Sequence, residues 1–181
     1  MPLCSPIHSV GTLRASLASI CAAMRGIPTE AWEYRSDPES DKTRVVRAGQ
    51  QSWPIVATQV ECLLQEASAQ YFPPGNWNRV VLSCVPAGEQ ILPHVDNFGP
   101  DVQSRSVHCH IPLVTHPDVI MGYGTEGNEV HLHVGHLYIL DATQRHYVRN
   151  PSSVDRIHLL FAYFPFKPGD LPQCYISREE A

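Results

Sequence analysis

The sequence predicts an α+β protein, mainly β, in which N-terminal helices precede a sandwich or jelly roll of short strands. Two segments, residues 12–25 and 55–71, place apolar residues at helical spacing and end in Gly- or Pro-containing sequence. From residue 78 onward the pattern changes, because β-branched and aromatic runs recur between turn residues, at 79–85, 107–114, 130–134, 137–140 and 156–164. No helical pattern interrupts these runs, which argues against a fold of interleaved helices and strands.

Each predicted helix carries one apolar stripe. In the first helix the stripe consists of Leu13, Leu17, Ile20, Cys21 and Met24. In the second helix it consists of Val56, Val60, Leu63, Leu64, Ala67 and Tyr71. Residues 34–51, between the two helices, are polar and charged, so we expect a surface excursion there.

Length and charge limit the possible organisation of the chain. The 181 residues, with a mass of 20.2 kDa, predict one domain, 1–181, with a helical part, 1–75, and a jelly-roll part, 76–168. The net charge of −5 and the lack of a Lys/Arg run argue against nucleic-acid binding. No apolar run has the length of a membrane span, and the first residues lack a signal-peptide pattern. We therefore expect a cytoplasmic monomer or homodimer with no membrane or nucleic-acid partner.

The positions of the cysteines and histidines indicate where a metal or catalytic site can lie. The six cysteines are scattered and form no C-x-x-C pair, which is typical of reduced thiols. The ten histidines are many for a chain of this length, and most of them lie between residues 108 and 158. The second half of the chain is therefore where a metal or catalytic site is expected.

The segment His94-Val95-Asp96 offers two metal ligands. Non-haem Fe(II) oxygenases hold iron with two His and one carboxylate, and leave the remaining positions open. On an extended segment, residues i and i+2 point to the same side, so His94 and Asp96 can reach one ion. An H-x-D motif is weak by itself, and a second one occurs at His116-Pro117-Asp118. Pro117 fixes the backbone of that second motif and favours a turn.

His146 and Arg156 extend the first motif to a larger site. Both lie five residues from Pro151, within a sequence that predicts a hairpin, so we expect them to be approximate cross-strand partners. A guanidinium beside a metal-binding His suits 2-oxoglutarate, because the distal carboxylate of this keto acid accepts a bidentate cationic fork. The alternative is that His146 is a surface hairpin residue and that Arg156 pairs with Asp141 or Asp155.

Three segments together resemble the aspartyl/asparaginyl β-hydroxylase family, whose frame the bacterial cis-proline hydroxylases share. Residues 82–94 resemble its S-x-x-x-P-G-x-x-x-x-P-H approach, with Ala87 as a difference. The segment 108–113 resembles its H-x-x-L strand, and 135–156 resembles its closing G…D…H…N…R segment. The resemblance covers about half of the chain, residues 79–164.

The resemblance implies a double-stranded β-helix, a jelly-roll or cupin-like core on which the N-terminal helices pack. It also implies an Fe(II)/2-oxoglutarate-dependent dioxygenase that uses O₂. The implied residues fall into two groups, the iron ligands His94, Asp96 and His146, and the 2-oxoglutarate-binding residues Arg156, Ser83 and His110.

Two departures from the family pattern concern metal and substrate binding. Vertebrate members lack the carboxylate that Asp96 supplies, so conventional three-residue metal binding is expected here. His108 stands where the family has an arginine that binds the aspartate substrate. We therefore expect His108 to face the substrate, with Arg105, Arg145 or Arg149 as cationic substitutes.

Two further patterns are weaker evidence for a functional site. His131-x-His133 and His108-x-His110 have the spacing of cupin metal ligands, but neither has a suitably placed downstream Glu and His. Tyr123, with residues 122–127, is expected to form a flexible loop, which either covers the site or is a solvent-exposed turn.

The expected reaction is oxidation of an unactivated C–H bond in an amino acid or an amino-acid-derived small molecule. Hydroxylation with release of succinate and CO₂ is the leading hypothesis. Alternatives with the same cofactors are ring closure or desaturation of a natural-product intermediate, and β-hydroxylation of a peptidyl Asp or Asn. The alternative outside enzymes is a jelly-roll sensor module that binds a metal without turnover.

Overall fold

The computed structural model describes residues 6–13, 17–36, 41–96, 105–124, 128–167 and 170. Two α-helices lie within these ranges, α1 (Leu17–Met24) and α2 (Pro54–Tyr71), together with a 3-10 helix at Thr29–Ala31. The strands of the described chain are β1 (Ile7–Thr12), β2 (Glu33–Tyr34), β3 (Arg44–Arg47), β4 (Gly75–Val85), β5 (Gln90–His94), β6 (Val107–Val114), β7 (Ile120–Tyr123), β8 (Glu129–Val130), β9 (His136–Leu140), β10 (His146–Arg149) and β11 (Arg156–Pro165).

The strands form two antiparallel sheets. The seven-stranded sheet has the order β1-β9-β6-β11-β4-β3-β2, and the four-stranded sheet has the order β5-β10-β7-β8. From β4 onward the chain passes back and forth between the two sheets, as in a jelly roll, except that β7 and β8 are both in the four-stranded sheet. The predicted fold class is confirmed: the protein is mainly β, with two helices packed on a jelly-roll core.

The seven-stranded sheet has two different faces because side chains alternate along each strand. Its outer face packs on the helices, where Ile111 of β6 and Leu159 of β11 join Leu63 of α2 in one buried cluster. The intervening residues of β6 and β11, such as His110 and His158, therefore lie on the inner face, towards the four-stranded sheet. A second apolar cluster lies between the sheets and consists of Val85, Ile91, Val119, Met121, Tyr123, Leu132, Tyr138, Leu140 and Val148.

Helix α2 fits its sequence pattern closely. Pro54 occupies the first turn, where its missing N–H costs no helical hydrogen bond, and the helix ends at Tyr71 before the extended Phe72. The buried residues of the helix are Val56, Val60, Leu63, Leu64 and Ala67, five of the six that the apolar stripe predicted.

The order of elements differs from the prediction in the N-terminal part. Thr12, expected in the first helix, belongs to β1, which pairs with β9. The expected surface excursion at 34–51 is wrong, because β3 pairs with β4 inside the seven-stranded sheet and buries Val45 and Val46. The charged residues that flank this short strand concealed it, since they dominate the composition of the segment.

The predicted strand at 130–134 is largely wrong. Only Glu129 and Val130 are paired, as β8 against β7, and residues 131–134 follow as a connection to β9. Leu132 of this connection is nevertheless buried in the cluster between the sheets. Burial of one apolar residue in a loop produced the strand-like pattern.

Two observations bear on the cysteines and on membranes. The described cysteines Cys21, Cys62, Cys84 and Cys109 are all free thiols, as predicted, whereas Cys4 and Cys174 lie outside the described residues. Over the described ranges, neither helix combines the length and the apolar composition that a membrane crossing requires.

Candidate active site

His94, Asp96 and His146 come together at one corner of the four-stranded sheet. His94 ends β5 and His146 begins β10, and the two are directly paired across these strands. Their ring centroids are 4.4 Å apart. Asp96 Oδ1 lies 3.4 Å from His94 Nε2, and Asp96 Oδ2 lies 3.8 Å from His146 Nε2. Among the described residues, no other group of three or more His, Cys, Asp or Glu side chains is close enough to share a metal ion.

Both imidazoles of this cluster are oriented by backbone carbonyls. His94 Nδ1 lies 2.8 Å from the Leu92 carbonyl oxygen, and His146 Nδ1 lies 2.8 Å from the Gln144 carbonyl oxygen. A carbonyl oxygen only accepts, so Nδ1 carries the donated proton in each ring. Nε2 is therefore the ring atom that each histidine turns towards Asp96, and it is the atom that can bind a metal. Metal-binding histidines are usually held in this way.

The charges within the cluster favour a cation. Burial by itself raises the pKa of Asp96, but the hydrogen bond from His94 and the potential of His146 outweigh it, so the pKa is lowered. The same hydrogen bond to Asp96 raises the pKa of His94. Burial lowers the pKa of His146. The carboxylate thus favours a proton on His94 Nε2, and a divalent cation in the same place would compete with that proton.

Tyr123 packs beside this cluster and corrects a sequence expectation. It lies in β7, directly opposite His146, and is 2% exposed rather than part of a flexible loop. Its ring stacks on that of His146 with centroids 5.6 Å apart and planes inclined by 26°. Residues 125–127 of the expected loop lie outside the described residues. The ring therefore limits the rotation of His146.

Arg156 occupies the inner face of the seven-stranded sheet and is only 2% exposed. Its Nη2 lies 2.8 Å from His158 Nδ1, while its Nε is buried and has no partner within the described part of the chain. Burial lowers the pKa of Arg156 to about 9. A guanidinium that is buried without a counter-ion is unfavourable, and a carboxylate ligand would relieve this cost. The site therefore fits the distal carboxylate of a dicarboxylate cofactor.

The predicted cross-strand pairing of His146 and Arg156 is wrong. β10 pairs with β5 and β7, whereas β11 pairs with β4 and β6, so the two residues belong to different sheets. The side chain of Asn150 donates to the carbonyls of Val85, Pro86 and Val154 and holds the connection as it passes from one sheet to the other. Equal distance from a turn does not distinguish a hairpin from such a crossing.

The alternative ion-pair partners of Arg156 are engaged elsewhere. Asp155 Oδ2 lies 3.2 Å from Arg44 Nη2. Asp141 accepts hydrogen bonds from the backbone and hydroxyl of Thr143 and from the amide of Gln144. The described contacts therefore do not show the alternative in which Arg156 forms an ion pair with Asp141 or Asp155.

Ser83 and His110 share the inner face with Arg156. Ser83 is buried in β4, where Arg156 and Ser83 sit two residues apart in the register of β4 with β11. Burial lowers the pKa of His110 well below its usual value, and the charges of Arg156 and His146 lower it further. His110 is therefore neutral and is close to both halves of the site. Its Nδ1 is buried without a partner in the described ranges.

The predicted substrate residues separate into two groups. His108 lies on the inner face of β6, where burial lowers its pKa to about 4, and the charges of Asp96 and His146 influence it. Arg105 and Arg145 are exposed. Arg149 is also exposed and forms an ion pair with Glu129. His108 is thus within the electrostatic surroundings of the metal cluster, whereas the roles of Arg105, Arg145 and Arg149 stay predictions.

The remaining histidine patterns do not form comparable sites. His116 and Asp118 lie in an exposed turn, which the hydrogen bond from Val119 N to the His116 carbonyl closes, as predicted. The rings of His131 and His133 approach to 4.9 Å between centroids, but they belong to no three-residue metal-binding group in the described chain.

His158 is a site residue that was not predicted from the sequence; it is 1% exposed and contacts Arg156 directly. The available signal was its position two residues after Arg156 on the same predicted strand, which places both on one face.

Comparisons with known proteins agree with this geometry. A sequence model of the family described as Aspartyl/Asparaginyl beta-hydroxylase matches residues 43–165. No curated protein matches the sequence.

Solved structures share the fold at low sequence identity. The non-heme alpha ketoglutarate dependent carbocyclase SnoK from nogalamycin biosynthesis has a TM-score of 0.65 and 12% identity, over 90% of this chain and 81% of the other. A prolyl hydroxylase from Trichoplax adhaerens has a TM-score of 0.59 and 15% identity, over 91% and 86% of the two chains. A prolyl-4-hydroxylase from Pseudomonas putida has a TM-score of 0.56 and 17% identity, over 89% and 92%.

The expected cofactors, Fe(II) and 2-oxoglutarate, agree with the donor set of the metal cluster and with the buried guanidinium. The expectation of an oxidoreductase is confirmed by the match to the hydroxylase family. Because the match spans the greater part of the chain, this protein belongs to the aspartyl/asparaginyl β-hydroxylase family.

Proposed function

We propose that this protein is an Fe(II)/2-oxoglutarate-dependent dioxygenase that hydroxylates a C–H bond of an amino acid or an amino-acid-derived small molecule. One observation carries the proposal. An oriented His-Asp-His cluster on one sheet shares its surroundings with a buried guanidinium, without a counter-ion in the described chain, on the other sheet. A metal-binding sensor has no need for the second feature.

The chain's own residues have distinct tasks in this function. His94, Asp96 and His146 would hold Fe(II), and Arg156 would bind the distal carboxylate of 2-oxoglutarate, with help from Ser83 and His110. When bound, iron and 2-oxoglutarate supply an oxidant from O₂, with release of succinate and CO₂.

Several features of the protein prepare the site before any ligand binds. The backbone carbonyls of Leu92 and Gln144 keep both ligand imidazoles in the tautomer that presents Nε2. Tyr123 excludes water from one side of His146. The burial of Arg156 gives its charge a surrounding of low polarity, where a carboxylate interacts more strongly than it does in water.

His108 supports a particular substrate class. Because burial holds its pKa near 4, His108 is a neutral hydrogen-bonding group at ordinary pH. A neutral imidazole suits a polar, uncharged group of the substrate better than a side-chain carboxylate. We therefore propose a substrate whose group next to His108 is uncharged.

The experiment that tests this function measures succinate formed by the purified protein with Fe(II), 2-oxoglutarate and O₂. A mass-spectrometric screen of amino acids and short peptides follows, with products 16 mass units heavier expected. Loss of two mass units would indicate ring closure or desaturation instead. The His94→Ala variant is the negative control, and His116→Ala, in the exposed turn, is the matched positive control. Equal succinate formation by wild type and His94→Ala would contradict the proposal.

A further inference from the structure

His158 is the least exposed histidine of the described chain, and it shares a strand face with Arg156. It lies in β11, directly opposite Ser83 of β4, and its ring meets that of His110 edge to face at 6.0 Å between centroids. Burying an imidazole this completely costs free energy unless its polar atoms find partners. The contacts of its two ring nitrogens are therefore informative.

The contact with Arg156 fixes the tautomer of His158. An arginine side chain has donors and no acceptor, so the 2.8 Å approach of Arg156 Nη2 makes His158 Nδ1 the acceptor. The ring proton is then on Nε2. Burial lowers the pKa of His158 well below its usual value, and the charge of Arg156 lowers it further, so the ring stays neutral. His158 is thus a donor through Nε2 and an acceptor through Nδ1.

Two buried donors on this strand face have no acceptor in the described part of the chain. His158 Nε2 and Arg156 Nε are both inaccessible to solvent and have no hydrogen-bond partner among the residues that the structure describes. The two side chains also border one small, partly open pocket with about 10 Å³ of free volume. The rest of its lining is mainly apolar and consists of Thr115, Val119, Ile120, Met121, Leu132 and Val148. A carboxylate neutralises a guanidinium and offers two acceptor oxygens, one for each of these donors.

The geometry assigns His158 to the 2-oxoglutarate site with two roles, an inference that rests on the proposed function. Through Nδ1, His158 positions the guanidinium of Arg156. Through Nε2–H, it donates a neutral hydrogen bond to the distal carboxylate that Arg156 binds. The specificity of the site for a dicarboxylate therefore depends on His158 as well as on Arg156.

Two conservative variants separate these roles. Asn places a carbonyl oxygen near the position of Nδ1 and retains the acceptor, so His158→Asn removes the donor alone. Gln places an amide NH₂ near the position of Nε2 and retains the donor, so His158→Gln removes the acceptor alone. His158→Leu removes both groups at similar volume. Because each hydrogen bond involves a charged group, we expect about tenfold weaker 2-oxoglutarate binding for each single loss and about a hundredfold for His158→Leu.

The readout is direct binding, measured by calorimetry on the Zn²⁺-loaded protein. Oxalate is the comparison ligand, because it can chelate a metal but has no distal carboxylate. Its dissociation constant is expected to stay within about twofold of wild type in every variant, whereas that of 2-oxoglutarate rises. His116→Gln, in the exposed turn, is the matched control, and thermal unfolding verifies that each variant folds.

The outcomes distinguish this inference from the proposed function. Unchanged 2-oxoglutarate binding in both His158→Asn and His158→Gln would overturn the inference and leave the proposed function standing. Equal weakening of oxalate and 2-oxoglutarate would make His158 a purely structural residue. A Zn²⁺-loaded wild type that binds oxalate but not 2-oxoglutarate would overturn the proposed function, and the inference with it.

Discussion

The site residues of the two sheets differ in their exposure to solvent and in the pairing of their charges. On the four-stranded sheet, the side chains of His94 and Asp96 are 26% and 32% exposed, and their charges are paired with each other. On the seven-stranded sheet, Arg156 and His158 are almost fully buried. The charged guanidinium of Arg156 has no counter-ion among the described residues. His94 and Asp96 are thus partly exposed and paired, with only His146 of their cluster buried, whereas the Arg156 half is dry and carries an uncompensated charge.

This difference separates two physical tasks. A partly exposed ligand cluster exchanges its proton and water for a metal at low cost, because solvent stabilises each intermediate arrangement. A buried guanidinium is costly in the empty protein, and this cost is relieved when an anion binds. We therefore expect metal binding to depend on the ligand atoms themselves, and 2-oxoglutarate binding to depend on the geometry and dryness of its surroundings.

The largest effect is expected from the metal cluster. His146→Ala or His94→Ala removes one of three ligands, and we expect turnover to fall by at least about a thousandfold, since the chemistry needs the bound metal. Asp96→Ala is expected to be severe but less complete, because vertebrate relatives manage without this carboxylate. Succinate formation and metal content report the result. Near-wild-type turnover in either histidine variant would show that the cluster is misassigned, and His116 with Asp118 would be tested next.

Arg156→Lys is expected to have the next largest effect. Lysine replaces a planar fork by a point charge, and the loss of one charge-assisted hydrogen bond costs on the order of 1.5–3 kcal/mol. The half-saturating concentration of 2-oxoglutarate should therefore rise by roughly ten- to a hundredfold, with a smaller change in maximal rate. Titration with 2-oxoglutarate measures it. An unchanged half-saturating concentration would show that Arg156 does not bind 2-oxoglutarate, and the proposed difference between the tasks of the two sheets would be lost.

The pH dependence of stability sharpens the contrast further. Burial lowers the pKa of His108 from 6.5 to about 4, so between these values the unfolded chain binds a proton that the folded protein does not. The free energy of unfolding of the metal-free protein is therefore expected to fall as the pH falls from about 6.5 to about 4. His108 contributes up to about 1.4 kcal/mol per pH unit. Denaturant unfolding of His108→Gln should show a shallower slope over this range, whereas an identical slope would mean that His108 is protonated in the fold.

The smallest effect is expected from Tyr123→Phe. The hydroxyl of Tyr123 makes one weak contact, with Met121 Sδ at 3.9 Å, whereas the ring provides the stack on His146. Phe retains the ring, so stability and metal affinity should change by less than about 1 kcal/mol. Thermal unfolding with and without Zn²⁺ measures both. A large loss of metal affinity would show that the hydroxyl, and not the ring, supports the cluster.

The parts of the fold that could be predicted are those with a long periodic pattern. α2 and the strands β4, β6, β9 and β11 follow apolar repeats that are long enough to be recognised. β3 and β7 were missed because Arg44, Arg47 and Gly122 interrupt their short apolar runs, and their pairing depends on partners far away in the sequence. The same limit explains why Tyr123 was assigned to a loop.

The site was predictable where spacing alone constrains geometry. His94 and Asp96 lie two residues apart on extended chain, so one ion can reach both without knowledge of the fold. The relation of His146 to Arg156 was wrong because Pro151 is compatible both with a hairpin and with a crossing between sheets. Only the pairing of β10 and β11 with different neighbours distinguishes the two.

The sequence by itself determined the residue types of the site, the mainly β architecture and the H-x-D ligand pair, because each depends on composition or local spacing, and its motifs resemble those of the family. The tertiary structure alone decided which sheet carries which half of the site, that His108 and His158 are neutral, and that Arg156 is buried without a counter-ion in the described chain. The physical reason is that burial and electrostatic environment depend on which strands become neighbours. That choice is made by contacts between residues that are distant in the chain, and local sequence patterns do not contain it.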